Sequence, residues 1–290
     1  MTPPESPAEV TLVGLFSYPV KGCRVIPHDG AHVAVTGLAH DRAWMIVDTS
    51  VTPAQFASQR DTPALATIET HVGEDGRLEL SAAAASAAPL VVAPTHCAGP
   101  LAVRVWRHDT IALDAGDAAA AWLAAVLGTP PGRLRLVRFD TSRRRDCNAA
   151  FAGDSGAHTL FADGYPVLIG NEASLDDLNV RMAATGAAPI DIGRFRPNLV
   201  LRGLAAWDED YIDSLDIGSV RLRLVKPSVR CLVTTTDQRT GQRMGDEPLA
   251  TLARFRNDTT FGGVTFGWNA VVLAGGRVKL GDRVAVNYRF

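Results

Sequence analysis

The sequence predicts a β-rich, mixed α+β chain built as two β-barrel-like domains with a few peripheral helices. Short runs of alternating apolar and β-branched residues recur along most of its length, and Gly, Asp and Pro punctuate them. Only three stretches carry both start and stop signals for a helix. With 290 residues, 47% apolar and 21% charged, the chain can bury a large core, and its length suits two domains. The boundary is expected at the end of the first helix, giving domains of residues 8–128 and 129–290.

Val10 to Val20 reads as a strand running into the turn Tyr18-Pro-Val-Lys-Gly22. Further strands are expected at His32 to Val35, Ala43 to Val47, Thr67 to Val72, Leu78 to Leu80 and Ala102 to Trp106. Ser81 to Ala88 is an Ala/Ser tract expected to be a loop or a short irregular helix. Asp117 to Leu127 is a helix with Asp117 as its N-cap, closed by Gly128 and Pro130-Pro131. Arg133 to Phe139 alternates as a strand, and Arg143-Arg-Arg145 follows as a solvated charge run or an anion-steering rim. A capping-box-like start at Ser174 opens a helix ended by Gly186, and Pro248 opens a third through Phe255. Strands are expected again at Arg221 to Val225, Leu232 to Thr236, Val271 to Leu273, Val278 to Leu280 and Arg283 to Val286.

A net charge of −2 argues against a nucleic-acid partner held by a basic field. No apolar run is long enough to span a membrane and Met1 to Pro7 has no leader pattern, so a cytoplasmic, membrane-free protein is expected. The four cysteines, Cys23, Cys97, Cys147 and Cys231, are widely spaced and form no C-x-x-C pair. The common nucleotide and zinc motifs are absent. Gly153-Asp-Ser-Gly156 matches a serine-protease nucleophile segment over four residues only, which does not define a triad.

Two segments stand out chemically. Arg194-Phe-Arg-Pro-Asn-Leu-Val200 sets two arginines beside an asparagine, a group suited to an anion. Lys226-Pro-Ser-Val-Arg-Cys231, followed by Thr234-Thr-Thr-Asp237, places a thiol between a proline break and a β-branched run, where a soft ligand can reach a metal or substrate.

These segments fall in an ordered series with Tyr18 to Gly22, Gly37-Leu-Ala-His-Asp-Arg-Ala-Trp44, Phe161-Ala-Asp-Gly-Tyr-Pro166, Asn171-Glu-Ala-Ser-Leu-Asp-Asp-Leu-Asn179 and Phe266-Gly-Trp-Asn269. The series runs through nearly the whole chain. It resembles MOSC-domain proteins that carry an N-terminal MOSC β-barrel domain, in the branch of the bacterial YcbX-type reductases and the mitochondrial amidoxime reducing component. The resemblance implies a molybdenum–pterin (molybdopterin) cofactor bound between the domains, with Cys231 as the metal's protein ligand. Lys21, Arg42 and Arg196 match the family's cationic pterin contacts, with Arg194, Asn198 and the backbone of Gly22 beside them. Asp237 is the nearest acid for proton relay, although a turn-forming role explains it equally well.

Three positions depart from the family pattern. Gly22 stands where relatives carry Ser, Ser228 where many have a second cysteine, and Trp268 where Gln is usual. Trp268 suits either a substrate mouth or a packed core. The implied activity is reduction of N-hydroxylated compounds: hydroxylamines, amidoximes or N-hydroxylated base analogues. Its electrons would come from a separate ferredoxin-type or flavin reductase, since no cysteine cluster follows Cys231. The alternative is a carrier of the cofactor or of a Cys231 persulfide, served by a pyridoxal-phosphate-dependent cysteine desulfurase.

Overall fold

The computed structural model describes residues 9–83 and 87–289. The centre of the Ala/Ser tract, the first residue of the expected N-terminal domain and the leader region lie outside these residues. Strand outweighs helix, 39% to 18%, which agrees with the β-rich expectation.

The first barrel is a closed ring of five strands. Trp44–Asp48 pairs with Ala54–Phe56, which runs parallel to Pro100–Val105; His108–Asp114 follows, and Leu134–Phe139 closes the ring back onto Trp44–Asp48. Because successive side chains on a strand point to opposite faces, Trp44–Asp48 is buried on both. Met45 and Val47 pack with Val103, Val137 and Phe139 in one cluster, while Trp44 and Ile46 join another with the helix Asp117–Leu127. Gly116 is the N-cap of that helix and Asp117 its first residue, where the carboxylate pairs with Arg135.

The second unit is a nine-stranded sheet among the described residues. Thr11–Ser17 pairs with Leu199–Arg202, which neighbours Val167–Asn171; Gly263–Ala274, Val220–Val229, Ile212–Ile217 and Ala285–Tyr288 follow. Its two ends meet: the Leu12 N–H donates to the Asp282 carbonyl at 2.9 Å and the Val284 N–H to the Val10 carbonyl at 2.8 Å. Leu12, Leu15, Ile169, Leu201, Leu215 and Leu222 fill the interior, fully or almost fully buried.

The two sheets exchange strands across the boundary expected between residues 128 and 129. The first strand of the chain belongs to the second sheet, and Leu134–Phe139 belongs to the first. The segment Thr11 to Lys21 therefore ties both units together, since Val20–Lys21 pairs parallel with Trp44–Asp48 of the first barrel.

Several elements differ from expectation. Leu232 to Thr235 is a short 3₁₀ helix instead of a strand. Its threonines bond back to the main chain, Thr234 Oγ1 to the Cys231 carbonyl at 3.0 Å and Thr235 Oγ1 to the Leu232 carbonyl at 2.8 Å, which competes with strand pairing. The helix expected from Pro248 is one turn, Leu249–Leu252. The expected start at Ser174 lies three residues earlier, at the Asn171 N-cap. Of the Arg143 to Arg145 run, Arg145 is neither solvated nor on a rim; it is buried and donates to the carbonyls of Leu160, Ala162 and Asp163. Among the described residues, no helix is long and apolar enough to cross a membrane.

Ser174 instead serves Glu209. The buried Glu209 carboxylate accepts from Asn171 Nδ2 at 2.7 Å and Ser174 Oγ at 2.8 Å. Burial raises its pKa above the ordinary carboxylate value of 4.5, and the two hydrogen bonds only partly oppose this. Above pH 4.5 the unfolded chain has released a proton that the native chain still holds, so stability falls as pH rises through that window. Glu209→Gln removes the titration. Its urea midpoint should vary less than that of the parent between about pH 5 and pH 7, and parallel profiles would refute the assignment.

Candidate cofactor and substrate site

A cavity of about 420 Å³ lies where the two barrels meet. Its walls include Lys21, Gly22 and Arg42 from the first half of the chain and Arg196, Asn198 and Cys231 from the second. Six of the expected site residues are thus brought together. Arg194 and Asp237 do not line the cavity.

The seam is organised by Tyr18, which is buried and donates from its hydroxyl to the Pro197 carbonyl at 3.0 Å. The guanidinium carbons of Arg42 and Arg196 each stand 4.2 Å from the centroid of its ring. Both arginines adopt left-handed backbone angles, φ 48° and 55°, which turns their side chains into the seam. Asp41 pairs with Arg42 and accepts from the Tyr18 N–H at 2.8 Å. Arg196 donates to Gln238 Oε1 at 2.9 Å and to the Cys23 carbonyl at 2.8 Å. Burial lowers its pKa to about 10. Gly37 closes the same seam, because a Cβ there would collide with the Pro166 carbonyl.

Lys21 is buried and points at the loop Phe161 to Asp163, donating to the Phe161 carbonyl at 3.0 Å and pairing with Asp163. Burial lowers its pKa, and the Asp163 charge opposes the shift. Asp163 Oδ1 also accepts from Trp106 Nε1 at 2.9 Å. Desolvation pushes the Asp163 carboxyl up, but Lys21 and Trp106 outweigh it and hold the group well below the usual carboxylate range.

Cys231 caps the 3₁₀ helix and its side chain is exposed at the cavity. Of the other cysteines, Cys23 and Cys147 are buried, and burial pushes their thiols up to about 12 and about 11. Beside Cys231, Arg230 donates to Ser228 Oγ at 2.6 Å and the Phe195 carbonyl at 2.7 Å. Burial lowers the pKa of Arg230, and Cys231 pulls the other way.

Asn198 faces inward. It donates to the Phe16 carbonyl at 3.1 Å and accepts from the Leu168 N–H and from Arg42, both at 3.1 Å, so its polar groups are already engaged. Arg194 donates to the Thr234 carbonyl at 3.2 Å and braces the cysteine turn from behind. The Asp237 carboxylate accepts from the N–H groups of Arg239 and Thr240, both at 2.9 Å, and shapes a turn. Trp268 is buried, bonds Asp210 at 2.7 Å through Nε1 and belongs to the second barrel's core, which decides between its two expected places.

Sequence reasoning missed Arg60, Trp106, Asp163, Lys226 and Arg230 as cavity residues. Asp163, Lys226 and Arg230 stand inside motifs that attracted notice for other residues, whereas Arg60 and Trp106 belong to no motif. Among the described residues lining the cavity, six carry positive charge and Asp163 is the only acid.

The family comparisons agree with this architecture. The family model described as MOSC N-terminal beta barrel domain matches residues 9–130, and that described as MOSC domain matches residues 156–285. Mitochondrial amidoxime reducing component 2 of Bos taurus is 33% identical over 255 residues, covering 85% of this chain and 72% of that protein. The chain belongs to the MOSC family. Mitochondrial amidoxime-reducing component 1 of Homo sapiens is 32% identical over 286 residues, covering 94% of this chain and 82% of that protein. Molybdenum cofactor sulfurase of Bos taurus is 26% identical over 251 residues, covering 81% of this chain but 28% of that longer protein.

Asn198→Ala should act on this MOSC chain through its fold. It strands the Phe16 carbonyl and the Leu168 N–H, and a loss of about 1–3 kcal/mol is expected from chemical denaturation. Unchanged stability would assign Asn198 to ligand contact instead.

Proposed function

We propose that this protein is a molybdenum–pterin-dependent reductase of N-hydroxylated compounds. The observation that carries the proposal is the convergence of Lys21, Arg42 and Arg196, drawn from distant parts of the chain, on one cavity that also exposes the thiol of Cys231. The donor set suits a phosphorylated pterin with a soft metal. Arg230 Nε is buried with no partner among the described residues, a donor ready for such a ligand.

In this reading Lys21, Arg42, Arg196 and Arg230 hold the anionic pterin, the Gly22 backbone lines it, and the Cys231 sulfur binds the metal. When bound, the cofactor supplies the two-electron chemistry that accepts oxygen from nitrogen. The overall reaction converts N–OH, two electrons and two protons into N–H and water. The chain contributes orientation and electrostatics. Its Asp163, held as a carboxylate, accepts hydrogen bonds and keeps Lys21 aimed into the cavity. Asp237 is engaged as a turn-former outside the cavity lining, so this reading assigns it no proton-relay role.

A ferredoxin-type or flavin reductase is the proposed electron source. Among the described residues the cysteines are free and no group of three or more His, Cys, Asp or Glu could hold a metal ion. The exposure of Cys231 and the match to the sulfurase favour a second reading, a cofactor or persulfide carrier served by a cysteine desulfurase.

Protein from a host that makes the cofactor decides between them. The reductase reading expects about one molybdenum per chain, reduction of benzamidoxime with reduced viologen as donor, and loss of at least about 10³-fold of that activity in Cys231→Ala. Asp237→Asn should retain most of it. A Cys231 persulfide with no bound metal supports the carrier, and loss of activity in Asp237→Asn with normal folding would restore Asp237 as a relay.

A further inference from the structure

The six cations of the cavity are not equivalent. Lys21 is matched by Asp163 and Arg42 by Asp41, whereas Arg60, Arg196, Lys226 and Arg230 have no carboxylate partner among the described residues. Arg196 and Arg230 spend donors on fixed neutral acceptors. Arg60 and Lys226 are different. The Arg60 guanidinium lies 4.5 Å from the Trp106 ring and 5.8 Å from that of Phe56, with Nε alone bonded, to Ser58 Oγ at 3.2 Å. The Lys226 ammonium stands 5.0 Å from the Phe151 ring and 5.4 Å from that of Phe261, with no hydrogen-bond acceptor among the described residues.

Aromatic faces hold both side chains in place without using their N–H groups. Their N–H groups border the cavity and are left free to meet an anion that enters it. One cation comes from each half of the chain, and both border the same cavity as Cys231. The geometry points to a substrate-recognition subsite in which Arg60 and Lys226 bind an acidic group, a carboxylate or phosphate, carried by a planar N-hydroxylated substrate. The Trp106 and Phe56 rings offer flat apolar surface for the body of that substrate. This rests on the reductase reading and narrows it: an anionic substrate is preferred over its neutral analogue.

The same two cations could instead meet the phosphate of the pterin, and the experiment separates these sources. Binding of benzamidine and of its para-carboxylated analogue, the products of the matching amidoximes, is measured by calorimetry on cofactor-loaded protein, so no turnover is needed. The carboxylated ligand should bind about tenfold more tightly, with the advantage falling as salt rises. Lys226→Met and Arg60→Met should each remove most of that advantage, and Lys226→Arg should keep it, with molybdenum and pterin content per chain unchanged. Equal binding of the two ligands to the parent protein overturns the subsite. Loss of cofactor from either methionine variant also overturns it, by assigning the cations to the pterin phosphate. If the binding preference holds and amidoximes are not reduced, the subsite stands and the reductase reading fails.

Discussion

The structure depends on keeping two arginines together on one buried tyrosine. Burial penalises the Arg196 charge and Arg42 repels it, as its lowered pKa records. The Tyr18 ring offsets part of this, since a desolvated cation over an aromatic face gains about 2 kcal/mol. Asp41 neutralises one of the pair, and backbone carbonyls and Gln238 occupy the rest. Remove the tyrosine, and the like charges lose the surface that holds them at the junction of the barrels.

That junction exists because the chain crosses it early. Thr11–Ser17 is a strand of the second sheet, yet Val20–Lys21, three residues on, pairs with the first barrel. Tyr18 and Pro19 make the crossing, so Tyr18 necessarily sits at the seam and Lys21 necessarily emerges beside it. The Arg42 N–H then bonds the Tyr18 carbonyl and the Phe161 N–H bonds the Arg42 carbonyl. Three segments far apart in sequence are thereby locked in register by main-chain bonds alone, and Arg145 fixes the third by gripping three of its carbonyls.

The ring of five strands was legible only in part. Leu134–Phe139 announces itself by alternation and Trp44–Asp48 by a continuous apolar run, but His108–Asp114 is polar at its start and partly exposed, so its pattern is weak. Val167–Asn171 and Leu199–Arg202 carry no strand signal of their own: each is short and buried among other strands, so neither shows a polar face in its sequence. The Thr234 to Thr236 run shows how a β-branched stretch misleads: hydroxyl bonds to the preceding turn outweigh strand propensity. Arg194 and Asn198 were identified by neighbourhood to Arg196. In the structure Asn198 lines the cavity while bonding the Phe16 carbonyl and the Leu168 N–H, and Arg194 lies outside the lining and bonds the Thr234 carbonyl. Cys231 stands out in the sequence by its flanking residues, and in the structure it is exposed at the cavity beside three buried threonines.

Asp163, the one acid among the described residues that line the cavity, then has a defined effect. Asp163 takes two donors on one oxygen and stays ionised, which cancels the Lys21 charge while orienting it. With Arg42 cancelled by Asp41, the positive excess of the cavity rests on Arg60, Arg196, Lys226 and Arg230. An arginine bonded to a neutral carbonyl keeps its full charge, so these residues can be geometrically fixed and electrostatically unspent at once. Hydrogen-bond satisfaction and charge satisfaction are separate requirements here. The fold meets the first internally for Arg196 and most of Arg230, and leaves the second unmet among the described residues.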